Sequence, residues 1–212
     1  MNHSRQRNSI RLLTAIALLL LFCSISQADK TAAPASGVLA GKEIAMIISF
    51  DQFKDSELLV PKKLFEAEGA MVTIASSRIG MAKGTDGTTI KSELPFTSLD
   101  ITIFDAVVFV GGQGCSAYWH NPVAHGIAQE TVRQGKILGA ICWAPIILAN
   151  AGVLKEKKAT VFNSGKEAVI LQEKGCSFTG EAVTKDGHII TANGPLAAEP
   201  FAKSIIGALA ER

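Results

Sequence analysis

The sequence predicts a three-layer α/β sandwich, a mostly parallel sheet with helices on both faces. Three observations carry that expectation. Short continuous apolar runs at 44–49 (IAMIIS), 105–110 (DAVVFV) and 137–141 (ILGAI) read as strands buried on both faces. Segments of helical period lie between them, and strands alternating with helices imply βαβ units. The chain of 212 residues is 48% hydrophobic and 19% charged, a globular composition that excludes disorder, collagen and coiled coil. No internal repeat and no second domain is evident.

The elements follow in order. After the strand at 44–49, residues 55–68 (DSELLVPKKLFEAE) have helical spacing, with Gly69 as the stop. A strand is expected at 71–75, and the Gly-, Thr- and Lys-rich stretch 80–89 reads as loops or a short hairpin. The strand at 105–110 runs into Gly111-Gly112. Asn121-Pro122 is a strong helix start, cap plus first-turn proline, for a helix reaching about Gln134. Then come a strand at 137–141, a helix at 144–150, a short strand at 159–162 and a helix at 165–174. Strands at 182–185 and 188–192 flank Asp186-Gly187, a hairpin signal, and a helix at 196–209 closes the fold.

The N-terminus stands apart. Residues 1–28 hold Arg5, Arg7 and Arg11 and no acid, then an apolar run at 12–22, then Ser26-Gln27-Ala28. A basic start, a short apolar stretch and small residues before the cut describe a secretory signal peptide cleaved after Ala28. The run is shorter than the roughly 20 residues of a membrane span. Cys23 invites a lipoprotein reading, but the bulky Phe22 before it argues against acylation. Residues 29–40 (DKTAAPASGVLA) are expected to be a flexible tether and 41–212 the folded domain, in the periplasm or secreted. Cleavage takes away three of the 21 basic side chains, leaving 18 against 19 acids. A net charge near −1 offers no phosphate-binding surface, so no nucleic-acid partner is expected, and no membrane partner after cleavage.

Three cysteines remain: Cys115, Cys142 and Cys176. An odd count in an oxidising compartment leaves at least one thiol free or paired between chains. Cys142 lies in Ala140-Ile141-Cys142-Trp143-Ala144, between a strand and the helix opened by Pro145. Small residues two positions to either side suit a sharp strand-to-helix turn that lifts the central side chain out of the sheet. Such a turn places the sulfur near a helix N-terminus, where a fall in its pKa from about 8.5 to about 6 would make most molecules thiolate at neutral pH. The competing reading is a small buried hydrophobe.

Taken together, AICWAP at 140–145, DAVVFVGG at 105–112, SELLVP at 56–61 and DGHIITANGPLAAEPFA at 186–202 resemble the ThiJ/PfpI family over most of residues 41–209. That superfamily includes the parkinsonism-associated deglycase and the PfpI intracellular proteases. The resemblance implies a flavodoxin-like, class I glutamine amidotransferase-like fold and a homodimer. It puts the family's nucleophile at Cys142 and its companion acid, protonated and bonded to the sulfur, at Glu57. It puts oxyanion-type backbone donors at Gly112 and Trp143. A carboxyl in an apolar cleft beside a thiolate has its pKa raised by desolvation and like charge; a solvated helix acid is the alternative for Glu57.

The departures count as well. Where many members have His after the nucleophile this chain has Trp143, and 159–163 (ATVFN) lacks the His that others place there. Without a Cys–His dyad, a peptidase has no group to protonate the leaving amine. His120, before the Asn121 cap, is a candidate stand-in base or simply a solvent-facing residue. Cys115 is a candidate resolving thiol for an oxidised Cys142, or a packed side chain. No cofactor and no metal are expected: the histidines lack ligand spacing, and Gly112-Gln-Gly114-Cys-Ser-Ala117 mimics a dinucleotide motif without the helix start and following acid it needs. Three readings compete. The chain is an exported cysteine enzyme acting on small electrophilic carbonyl or acyl compounds, a redox or stress-protection protein meeting oxidants, or a non-catalytic domain that keeps the fold.

Overall fold

A computed structural model of the chain describes residues 37–212. The signal peptide expected at 1–28 and most of the tether expected at 29–40 lie outside the described residues. The order is β1 (Glu43–Ile47), β2 (Asp51–Phe53), α1 (Asp55–Ala67), β3 (Met71–Ser76), β4 (Gly80–Gly84), β5 (Thr89–Ser92), β6 (Leu94–Pro95) and β7 (Ala106–Phe109). It continues through α2 (Pro122–Arg133), β8 (Ile137–Ile141), α3 (Pro145–Asn150), β9 (Lys158–Ala159) and α4 (Glu167–Glu173). β10 (Ser177–Phe178), β11 (Val183–Asp186), β12 (Ile189–Ala192) and α5 (Ala198–Ala210) complete it.

The central sheet runs β11-β12-β8-β7-β1-β3-β6. β11 and β12 pair antiparallel, as the Asp186-Gly187 turn predicts, and every other pair in that sheet is parallel. Because side chains alternate across a strand, the central strands feed two cores. Ala45, Ile47, Val107, Phe109 and Leu138 enter the cluster that contains Ile127 and Ile147 of α2 and α3. Ile44, Met46, Val108 and Ile137 enter the one that contains Phe65 of α1 and Phe201 of α5. Strands covered on both faces read as unbroken apolar runs, and the predicted three-layer architecture is the observed one.

The helix starts follow their chemistry. Asn121 Oδ1 accepts hydrogen bonds from Val123 N (2.9 Å) and Ala124 N (3.1 Å), the cap expected ahead of Pro122. α1 buries Leu58, Pro61 and Phe65, one stripe at helical spacing, with Glu57 beside it.

The structure corrects two expectations and settles a third between its alternatives. The tether does not extend to residue 40: Leu39 is fully buried in the second core and its N–H donates to Glu68 O (2.8 Å). A leucine side chain with an apolar slot at the end of α1 packs rather than waves. The strand expected at 159–162 shrinks to β9, paired with β10 in a two-stranded sheet of its own. Thr160 N donates instead to Thr191 Oγ1 (2.9 Å) and Phe162 N to Cys142 O (2.9 Å), so the segment is tied to the end of the main sheet without joining its ladder. The stretch at 80–89 opens a hairpin, β4 with β5, which β2 extends to three strands.

Candidate active site

The carboxyl ends of β7 and β8 converge with the start of α1. Ligands of open parallel sheets gather at this edge. β8 delivers Cys142 immediately after Ile141, in the left-handed region with φ 64°. Only glycine adopts that conformation freely, and for other residues it costs about 1 kcal/mol or more. Both backbone groups of Cys142 are tied: its N–H donates to Ala192 O (2.9 Å) and its carbonyl accepts from Phe162 N (2.9 Å). The ends of β12 and of the 160–162 segment thus hold the turn.

Glu57 reaches this turn from the first turn of α1. Its carboxyl is fully buried, 0% exposed, and neither oxygen has a well-aligned hydrogen-bond partner. The polar groups near enough to act on it are the Cys142 thiol and the Gly111 N–H, with the Lys54 ammonium farther off. Burial outweighs all three and pushes the carboxyl from 4.5 up to about 7.

Cys142 as a residue is 8% exposed. The Gly112 and Trp143 backbone N–H groups favour its anion. Burial and the facing Glu57 carboxylate oppose them and push the thiol up, to about 12. The lowered thiol expected from a helix N-terminus is therefore not found. α3 has only six residues, too few to generate a strong dipole, and desolvation dominates. Carboxyl and thiol titrate as a pair: one proton leaves near neutrality and the other is held far into alkali. Between the two, a single proton is shared, and the sulfur is anionic when Glu57 carries it.

Gly111 makes this proximity sterically feasible. A Cβ there would lie 2.5 Å from Cys142 Cβ, 2.5 Å from Glu57 Oε2 and 2.7 Å from Ile141 O. Gly112, at φ 100°, lets the next peptide turn against Lys54 N, which a Cβ would meet at 2.5 Å. The two glycines bring three chain segments into contact.

Above the pair opens a cleft of about 290 Å³. Trp143, Phe162 and Pro195 form apolar walls, and Lys54 and Asp86 supply charge at the side. Asp55, buried beside the cleft, fixes the 85–88 loop by accepting from Asp86 N (2.8 Å) and Thr88 N (2.7 Å). Those bonds hold its carboxyl below the usual range although burial opposes them.

The structure thus brings Cys142, Glu57, Gly112 and Trp143 together. His120 is exposed and does not line the cleft, so it is not placed as a base. Cys115 is a fully buried free thiol, pushed up by burial and close enough to feel the charges of Cys142 and Glu57, with no disulfide between them. Trp119 packs edge-on against Trp143, ring centroids 6.1 Å apart, and its carbonyl oxygen meets His125 Nε2 (2.8 Å) and Asn150 Nδ2 (2.8 Å). Sequence reasoning missed Lys54, Asp55, Asp86 and Phe162; only the Thr85-Asp86-Gly87 turn carried any signal for them. Among the described residues no cluster of three or more His, Cys, Asp or Glu could hold a metal ion, and no helix is long and apolar enough to cross a membrane.

The model of the DJ-1/PfpI family matches residues 42–208. The chain belongs to that family. A solved DJ-1/PfpI relative, the ThiJ/PfpI domain protein of Brachyspira murdochii, is 33% identical and superposes with a TM-score of 0.78, covering 84% of this chain and 99% of that one. A deglycase of Pyrococcus abyssi is 33% identical over 150 residues, 71% of this chain and 89% of the relative. A glutathione-independent glyoxalase of Caenorhabditis elegans is 26% identical over 170 residues, 80% of this chain and 90% of the relative.

Proposed function

We propose that this DJ-1/PfpI protein performs cysteine-dependent chemistry on small carbonyl compounds, glyoxalase- or deglycase-like, with Cys142 as nucleophile and Glu57 as its proton carrier. The observation that supports this most is the buried carboxyl with no well-aligned partner. Leaving such a group unpaired costs about 1–3 kcal/mol or more and has no packing merit. The names of the deglycase and glyoxalase relatives support the substrate class.

The chemistry balances with these groups alone. In the one-proton state the Cys142 thiolate adds to an aldehyde carbon, and the Glu57 proton goes to the carbonyl oxygen, giving a hemithioacetal. The resulting carboxylate takes the C–H proton and returns it to the neighbouring carbon of a dicarbonyl, while the hydroxyl proton passes from the first oxygen to the second, leaving the thioester of a hydroxy acid. Water cleaves that to a hydroxy acid and the free thiol. The Gly112 and Trp143 N–H groups are suited to hold the oxyanions that form along the way. No histidine lines the cleft, so the Cys–His dyad that serves amide cleavage in a cysteine peptidase is not assembled there.

The same lack supports a second reading, in which Cys142 is oxidised reversibly and protects against oxidants. Export by the N-terminal signal, into the periplasm or beyond, and a homodimer belong to both readings; full-length chain in the cytosol refutes the first of these and a monomer at micromolar concentration the second.

The test is Cys142 alkylation by iodoacetamide against pH, with methylglyoxal consumption measured beside it. The carbonyl reading expects alkylation to rise through about pH 7, where the pair loses its first proton, and expects lactate as product. Glu57→Gln removes the group that releases that first proton, so the step near pH 7 disappears and a single rise remains, above the ordinary thiol value of 9.0 because burial still holds the sulfur. Sulfenate or sulfinate after peroxide, without lactate, selects the redox reading. A Cys142 that alkylates equally in both proteins removes both.

A further inference from the structure

We propose that Lys54 is the anion-recognition residue of the cleft, held in reserve by Asp86, and that the preferred substrates are dicarbonyls that carry a carboxylate on the side away from the reacting carbon. The proposal rests on the carbonyl reading of the site and names its substrate class.

Among the described residues Lys54 is the only cation lining the cleft, and Asp86 the only acid there besides Glu57. The remaining walls are largely apolar, so a substrate charge inside has one favourable partner. Lys54 Nζ donates to Asp86 Oδ1 (2.9 Å) and Oδ2 (2.7 Å). Both side chains are partly open to solvent, 29% and 52%. Exposed pairs of this kind shift an equilibrium by no more than about fivefold, so an incoming carboxylate can displace Asp86 at little cost.

The backbone prepares the exchange. Lys54 N–H donates to Gly111 O (3.1 Å), which anchors the lysine to the glycine pair beneath the sulfur. Its four-carbon stem leaves the ammonium free to turn from the rim toward the floor. Asp86 is fixed differently: its own N–H is held by buried Asp55, so its carboxylate stays at the rim as a competing counter-ion. Lys54, Gly112 and Cys142 line one cleft, so a carboxylate held by Lys54 leaves the dicarbonyl attached to it inside the space that the sulfur and the Gly112 N–H share. A neutral dicarbonyl gains nothing from Lys54 and leaves the pair closed.

Two alkylating agents of equal size and opposite character test this without requiring turnover. Rates of Cys142 modification by iodoacetate and iodoacetamide, each read at the Cys142 peptide by mass spectrometry, are divided and normalised to the same ratio for glutathione. The expected normalised ratio is above 1. It falls at least threefold in Lys54→Gln, is kept in Lys54→Arg, and rises at least threefold in Asp86→Asn, where the lysine is released. Raising ionic strength from about 0.05 to about 0.5 M lowers the ratio in the native protein and not in Lys54→Gln. A ratio unmoved by both Lys54→Gln and Asp86→Asn overturns the proposal even if both reagents react well. If neither reagent modifies Cys142, the carbonyl reading has failed instead. Calorimetry with lactate and lactamide then decides the anion preference: at least threefold tighter binding of lactate, lost in Lys54→Gln, sustains it, and equal affinities end it.

Discussion

Replacing Glu57 by Gln removes a buried charge while keeping the shape of the side chain, and it should make the protein more stable at neutral and alkaline pH. The carboxyl is pushed from 4.5 to about 7 by burial. Below pH 4.5 folded and unfolded chains both carry the proton, and the stability associated with it is fully present. Between 4.5 and about 7 the unfolded chain loses the proton while the folded one retains it, so stability falls as pH rises. Each unit is worth 1.36 kcal/mol, which puts the whole loss at about 3 kcal/mol, complete above pH 7. Glu57→Gln does not titrate and escapes that loss. Its stability relative to the native protein is expected to climb by about 3 kcal/mol between pH 4 and pH 8. A domain of this size gains about 2–4 °C in Tm per kcal/mol, hence about 6–12 °C at pH 8. Denaturant and thermal unfolding of the two proteins at pH 4, 6 and 8 give the difference directly, since the other carboxylates cancel. A difference that stays constant with pH, or one that shrinks toward alkali, would refute the placement of an ionisable group in a dry site.

Other substitutions probe the supports of the site. Gly111→Ala forces a Cβ to 2.5 Å from both Cys142 Cβ and Glu57 Oε2; a loss of about 1–3 kcal/mol by urea unfolding and at least tenfold slower Cys142 alkylation are expected. Asp55→Asn weakens the bonds to Asp86 N and Thr88 N. It should cost about 1–2 kcal/mol and speed amide exchange at those two residues. The Asp55 contribution is present above its ordinary pKa of 3.8 and lost as pH falls through its lower folded value, so the deficit of Asp55→Asn vanishes in acid. At the strained turn, φ 64°, Cys142→Gly should be more stable than Cys142→Ala by about 1 kcal/mol, compared by thermal unfolding at pH 7.

The order of the main elements was legible because burial writes itself into composition. Residues 44–49, 105–110 and 137–141 are apolar without interruption because both sheet faces are covered, and Asn121-Pro122 marks a helix start by a local bond that needs no tertiary contact. β2 and β6 escaped because three- and two-residue strands of mixed polarity leave no period to read. The 159–162 segment looked like a strand because its residues are apolar and β-branched, yet its hydrogen bonds go to Thr191 Oγ1 and to the Cys142 carbonyl, partners that only the folded chain brings near. The site divides the same way. Cys142 announced itself by its small neighbours, and Glu57 was reached through the resemblance of SELLVP. Lys54, Asp55 and Asp86 sit on two segments about 30 residues apart, and no spacing rule joins an ion pair across such a gap.

The sign of the thiol shift is the most instructive error. A strand-to-helix turn suggested a sulfur favoured as an anion by the helix end. A six-residue helix supplies little of that field, whereas a fully buried Glu57 beside a Cys142 that is itself buried supplies a large desolvation cost. Two buried acids facing one another cannot both ionise near neutrality. The result is a pair holding one proton at the pH of most compartments. In the carbonyl chemistry proposed above, that arrangement would be a better proton relay than a permanently ionised thiol. A sulfur fixed as thiolate has no acid beside it to protonate the oxygen that develops during addition. A shared proton delivers nucleophile and acid in the same step, within one cleft and without histidine. The cost is stored locally, in the left-handed backbone at Cys142, in the close approach of Gly111 and in the burial of the Glu57 carboxyl. The hydrogen bonds from Cys142 N to Ala192 O and from Phe162 N to Cys142 O keep that local cost from relaxing the turn.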